Sequence, residues 1–148
     1  MALDPAFVGR TYGPTEPYLV GREKIREFAD AIGAADAAYR DPDAAASLGH
    51  ADVIAPPTFP VLLSLAASWA LGEDPELGLD LARVVHGDQR FRYTRPVRAG
   101  DSLRCVTTVE KIMARGGHDF LTTRTDIATE AGEPVVSVWS RLVVRGEG

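Results

Sequence analysis

The sequence predicts an α+β domain in which a curved antiparallel sheet wraps around one apolar helix. Three observations carry this. The first half of the chain has helical periodicity and the second half strand alternation, with no repeating strand–helix–strand order. One stretch, 59–71, is apolar on nearly every side and so belongs in a core rather than on a surface. Four β-branched stretches follow it, separated by glycine-marked turns.

The elements run in this order. After a Pro- and Gly-rich entry, Tyr18, Leu19 and Val20 suit a short strand. Residues 22–33 form an amphipathic helix, because Ile25, Phe28, Ala29 and Ile32 recur at i, i+3, i+4 and i+7, and Gly33 ends it. Residues 34–42 make an irregular link with Asp36, Tyr39, Asp41 and Pro42. Asp43 is a fitting N-cap for a short helix through Ala44–Ala46. Thr58 caps the apolar helix, and Pro60 falls in its first turn, where a missing N–H does no harm. The strands cover 83–95, 101–113, 118–129 and 134–145, forming a meander. Alternation is clearest at Leu103, Cys105, Thr107 and Val109, and again at Val136, Val138, Ser140 and Leu142.

The 148 residues are expected to form one domain, 1–148, large enough to fold without staples. With 45% hydrophobic and 25% charged residues, composition is that of a globular chain. A formal charge of −5 argues against a nucleic-acid partner, which needs clustered positive charge. The arginines between Arg83 and Arg104 leave room for a local patch suited to a phosphopantetheine or coenzyme A phosphate, or equally for a solvated strand face. The lone Cys105 lies in strand alternation and reads as a small buried hydrophobe. The N-terminus has no basic region followed by an apolar run, and no stretch approaches the ~20 apolar residues that span a bilayer. A cytoplasmic location without membrane association is expected. Three histidines and one cysteine show no ligand spacing, so neither metal nor cofactor is expected.

Three strings carry a family resemblance: 22–29 followed by Asp36-Ala37-Ala38-Tyr39; Ile54-Ala55-Pro56-Pro57-Thr58-Phe59; and His86-Gly87-Asp88-Gln89-Arg90-Phe91 with 95–101. Together, and in this order over almost the whole chain, they resemble the MaoC-like hot-dog superfamily. Within it they are most similar to the N-terminal, fatty-acid-synthase-type dehydratase branch that includes the A subunits of mycobacterial (3R)-hydroxyacyl-carrier-protein dehydratases. The resemblance implies a hot-dog fold, an acyl thioester ligand on coenzyme A or acyl carrier protein, and a dimer that joins two sheets, formed with an identical chain or with a catalytic MaoC-like subunit.

Eliminating water from a 3-hydroxyacyl thioester requires a group that takes the C2 proton, one that protonates the departing hydroxyl, and donors facing the thioester oxygen. Active members of the superfamily carry an aspartate and a histidine five residues apart in a Gly-Asp-x-Asn-Pro-x-His pattern. Here Asp36 matches the aspartate, Asp41 stands at the histidine position, and the asparagine and proline are absent. A carboxylate with a pKa of about 4 is a poor acid at neutral pH, whereas imidazole serves as acid or base. The chain therefore holds half of a catalytic pair, as expected of a subunit that binds the acyl group beside a histidine-bearing partner. His86, before Gly87 in the first long strand, is the alternative imidazole, since a strand glycine marks a bulge or a close ligand approach. His50 is a second alternative, and a structural hydrogen bond is the plainer role for either. His118 reads as a turn residue. The amides after Thr58 suit an oxyanion or simple capping. Phe59, Leu62, Leu63 and Trp69 suit either an acyl tunnel or ordinary core. A thioesterase using Asp36, Asp41 or Asp43 and a non-catalytic acyl-binding module are the remaining readings.

Overall fold

The computed structural model describes residues 3–147. Nine elements matter here: β1 (Thr11–Tyr12), β2 (Tyr18–Leu19), α1 (Arg22–Ala31), α2 (Pro42–Ser47), α3 (Val61–Glu73), β3 (Val84–Tyr93), β4 (Ser102–Arg115), β5 (His118–Thr129) and β6 (Pro134–Val144). The sheet runs β1-β4-β5-β6-β3, with β2 also paired to β4 and all pairs antiparallel. The order corrects the expected simple meander. Although β3 precedes β4 in sequence, it crosses the molecule and pairs with β6, becoming an edge strand. Alternation predicts strands but carries no information about which neighbour a strand chooses.

The helices follow their sequence signals with shifted ends. In α1, Ile25 and Ala29 are fully buried, and Gly33, at φ +70°, ends the helix in the left-handed conformation typical of this position. Ile32 lies just beyond the last helical turn and is exposed, so the apolar stripe stops one turn early. Asp41, not Asp43, caps α2: its Oδ1 accepts from the Asp43 amide at 2.9 Å, because Pro42 takes the first helical position. Thr58 does not cap α3 either. Residues 56–60 form a tight turn in which the Phe59 amide donates to the Pro56 carbonyl, and the helix begins only at Val61.

The core lies between α3 and the concave face of the sheet. Phe59, Leu63 and Ala67 meet Leu103, Cys105, Ile127, Val136 and Val138, while Leu71, Leu77, Val109, Leu121 and Val144 fill the other end. The alternation at Leu103, Cys105, Thr107 and Val109 is the burial pattern of β4. Burial also pushes the Cys105 thiol up to about 11, as befits a packed hydrophobe. One expectation needs correcting. The sheet covers only one side of α3, so Leu65 and Trp69 remain 52% and 62% exposed. They border a small groove with Leu81, Val84 and Leu142, beside the free edge of β3. No helix among the described residues is long and apolar enough to cross a membrane.

Candidate active site

The link between α1 and α2 is held by local polar bonds. Asp36 caps a single 3-10 turn, Ala37–Tyr39, its Oδ1 accepting from the Ala38 amide at 2.9 Å. Arg40 ties back to the Ala34 carbonyl and pairs with Asp30 at 2.7 Å. The Ile54 amide donates to the Ala38 carbonyl at 3.1 Å, joining the link to the stretch before α3. That stretch is itself stitched to 97–99: the Ala55 amide donates to Val97 and the Ala99 amide to Val53. Three segments remote in sequence thereby converge.

Their meeting leaves an open apolar pocket of about 170 Å³, lined by Tyr39, Ile54, Ala55, Pro57, Tyr93 and Pro96. The Tyr93 hydroxyl donates to the Pro57 carbonyl. Its phenol is held above the ordinary tyrosine range, chiefly by burial and further by Tyr39 nearby. Behind the pocket, Arg95 grips Asp101 with both terminal nitrogens at 2.9 Å and Glu133 through Nε at 2.7 Å. Asp101 also accepts from the Arg98 amide. This network fixes the turn that carries Pro96. It also holds the Glu133 carboxyl below the usual carboxylate range, through the hydrogen bond and charge of Arg95.

The residues singled out in the sequence do not gather at one point. Asp36 is exposed and does not line the pocket, but the turn it caps delivers Tyr39 to the wall. Thr58 is exposed on the turn before α3, and the amides of Phe59, Val61 and Leu62 already donate to backbone carbonyls. The expected row of free amides is therefore corrected: the turn pairs them. Phe59 is completely buried, edge-on to Phe28 at 5.5 Å, and works as core rather than as a pocket wall. Leu62 is half-buried against the same core. His86 and Gly87 lie on β3, away from the Asp36 link. There the register shifts between His86 and Asp88, and Gly87 forms a bulge. A Cβ at Gly87 would stand 3.0 Å from the Arg141 carbonyl oxygen, so the glycine is needed by the strand itself. The bulge sets His86 opposite Leu142, on the groove side of the sheet. His50 is half-buried after α2, and no hydrogen bond joins Asp36 to any histidine among the described residues.

Tyr39 and Tyr93 are the wall residues that sequence reasoning missed. Tyr39 was legible only as part of the irregular link, and Tyr93 only as one residue of a strand. A larger cavity, about 420 Å³, opens near the β4–β5 turn, but its groups serve one another: Asp119 accepts from the Leu3 amide, His118 from the Gly146 amide, and Arg83 pairs with Glu147. The smaller pocket, walled by Tyr39 and Tyr93, is the more apolar of the two. Among the described residues no cluster of three or more His, Cys, Asp or Glu side chains is arranged to hold a metal.

The curved antiparallel sheet packed on one apolar helix is a hot-dog fold, and comparison with known proteins agrees. The family model described as "FAS1-like, dehydratase domain region" matches residues 6–138, and the chain belongs to that family. A UPF0336 protein of Streptomyces coelicolor is 57% identical over 145 residues, spanning 98% of this chain and 97% of that protein. The C-terminally truncated HadBC (3R)-hydroxyacyl-ACP dehydratase complex of Mycobacterium tuberculosis contains a chain of 30% identity and TM-score 0.86, with 97% of this chain and 99% of that one covered. A MaoC-like dehydratase is 32% identical with TM-score 0.88, over 95% of this chain and 43% of that longer one. The expected likeness to MaoC-like hot-dog dehydratases therefore holds.

Proposed function

We propose that this chain is the acyl-binding component of a (3R)-hydroxyacyl-thioester dehydratase, or equally of the reverse enoyl hydratase, and that it works beside a MaoC-like partner. The observation that carries this reading is the division of the link: Asp36 is retained, but Asp41 occupies the histidine's place and spends its carboxylate capping α2. Elimination needs a group that accepts the C2 proton and one that returns a proton to the leaving hydroxyl. The link offers carboxylates as proton acceptors but lacks the imidazole that could return a proton to the leaving hydroxyl. The missing imidazole comes from the partner.

The acyl group, carried by coenzyme A or acyl carrier protein, lies in the apolar pocket between Tyr39 and Tyr93, with Asp36 at its side. Thr58 and Leu62 do not line this pocket and are proposed to meet the ligand beyond it. The free edge of β3 and the uncovered side of α3 take a second hot-dog subunit, either an identical chain or a catalytic one. His86 and Gly87 then lie at that seam. A cytoplasmic location suits this role.

The test is the hydration of crotonyl- and longer enoyl-coenzyme A by the purified chain, alone and after co-expression with a histidine-bearing MaoC-like protein. Low activity alone and a large gain in the pair are expected. Full activity of the isolated chain would overturn the division of labour.

A further inference from the structure

We propose that the Tyr39 hydroxyl is the pocket's polar contact and donates a hydrogen bond to the thioester carbonyl oxygen of the bound acyl group. The inference rests on the acyl-thioester reading above and extends it to one atom. The pocket wall is otherwise apolar or committed. Ile54, Ala55, Pro57 and Pro96 offer no side-chain donor, and the Tyr93 hydroxyl already donates its hydrogen bond to the Pro57 carbonyl. The Ala55 amide is taken by Val97 and the Ile54 amide by Ala38. The Tyr39 hydroxyl, in contrast, has no protein partner among the described residues.

Its placement is fixed rather than fortuitous. Tyr39 closes the 3-10 turn capped by Asp36, and its own amide donates to the Asp36 carbonyl at 3.2 Å. The turn is anchored again by the Ile54-to-Ala38 bond. Tyr39 and Tyr93 both line the pocket. A neutral phenol is a donor at any physiological pH. In an apolar slot, a single donor facing a carbonyl oxygen is both an orienting contact and a source of specificity for thioesters.

The test is a cycle of residue against ligand, using the full chain, with butyryl-coenzyme A and its thioether analogue S-butyl-coenzyme A, which lacks the carbonyl. Binding is read by titration calorimetry. Wild type is expected to favour the thioester over the thioether by roughly tenfold, the worth of one hydrogen bond. Tyr39→Phe is expected to lose that preference while binding the thioether as before. Its melting temperature should match that of wild type, because the hydroxyl has no protein partner to lose. Equal preference in Tyr39→Phe and wild type would overturn the assignment, as would a uniform loss of both ligands together with a lower melting temperature. If wild type binds neither ligand, the acyl-thioester reading of the pocket fails; if it binds both equally, only the Tyr39 contact fails.

Discussion

Replacing Asp101 with alanine should destabilise the protein by ~3 kcal/mol, because the carboxylate answers three donors at once. Both terminal nitrogens of Arg95 and the Arg98 amide lie 2.9 Å from its oxygens. The side chains of Arg95 and Asp101 are only 16% and 6% exposed, so solvent screens the pair weakly. Stranding one member of a buried pair costs about 3–5 kcal/mol. Glu133 still accepts from Arg95 Nε at 2.7 Å, which places the loss at the lower end. For a chain of this size, ~3 kcal/mol corresponds to a fall of roughly 6–12 °C in melting temperature. Urea denaturation followed by circular dichroism measures the change, and an unchanged slope would locate it in the native state. The Arg95→Met/Asp101→Ala double variant should be less destabilised than the two single losses added together, because it leaves no stranded charge. Asp101→Ala within 0.5 kcal/mol of wild type would refute this reasoning.

Three further outcomes are expected. Gly87→Ala should cost about 1–3 kcal/mol, since the new methyl would sit 3.0 Å from the Arg141 carbonyl oxygen and 3.4 Å from Val143 Cγ2; thermal unfolding checks it, and an unaltered melting temperature would contradict the bulge's tight fit. The Glu133 carboxyl, held below its unfolded value by Arg95, contributes stability that is complete above the ordinary glutamate range and is lost as pH falls through its lowered folded value. Glu133→Gln should therefore flatten the decline in urea midpoint between neutral and acid pH, and an identical decline in both proteins would count against the pair. Asp41→His should lose the cap on α2, costing about 1 kcal/mol, yet raise enoyl-coenzyme A hydration by the chain alone, because it sets an imidazole five residues after Asp36. A rate equal to the parent's would mean that the imidazole is not what the link lacks.

The parts of the fold that depend on local pattern were legible in the sequence. The stripe of Ile25, Phe28 and Ala29 gave α1 its buried face, and the inward set on β4 was readable from every second residue. What escaped is set by contacts between distant segments. Nothing in the 83–95 stretch says that it will pair with β6 rather than β4. Thr58 has the chemistry of a cap, but Pro56, Pro57 and Pro60 impose a turn that delays α3 to Val61. Phe59 suited either an acyl tunnel or the core, and it is fully buried in the core; an apolar side chain does not announce which side of a wall it takes. Asp36 was found through the resemblance, whereas Tyr39 and Tyr93 are 54 residues apart and meet only after the sheet has folded.

The claim on which the account turns is that an acyl thioester enters the pocket beside the Asp36 link. Amide and tyrosine-ring NMR spectra of the full chain, recorded during titration with butyryl-coenzyme A, measure this directly. Saturable shifts confined to Tyr39, Ile54, Ala55, Tyr93 and their neighbours are the expected result. Shifts centred instead on the cavity at His118 and Arg145, with the Tyr39 and Tyr93 rings undisturbed, would contradict it.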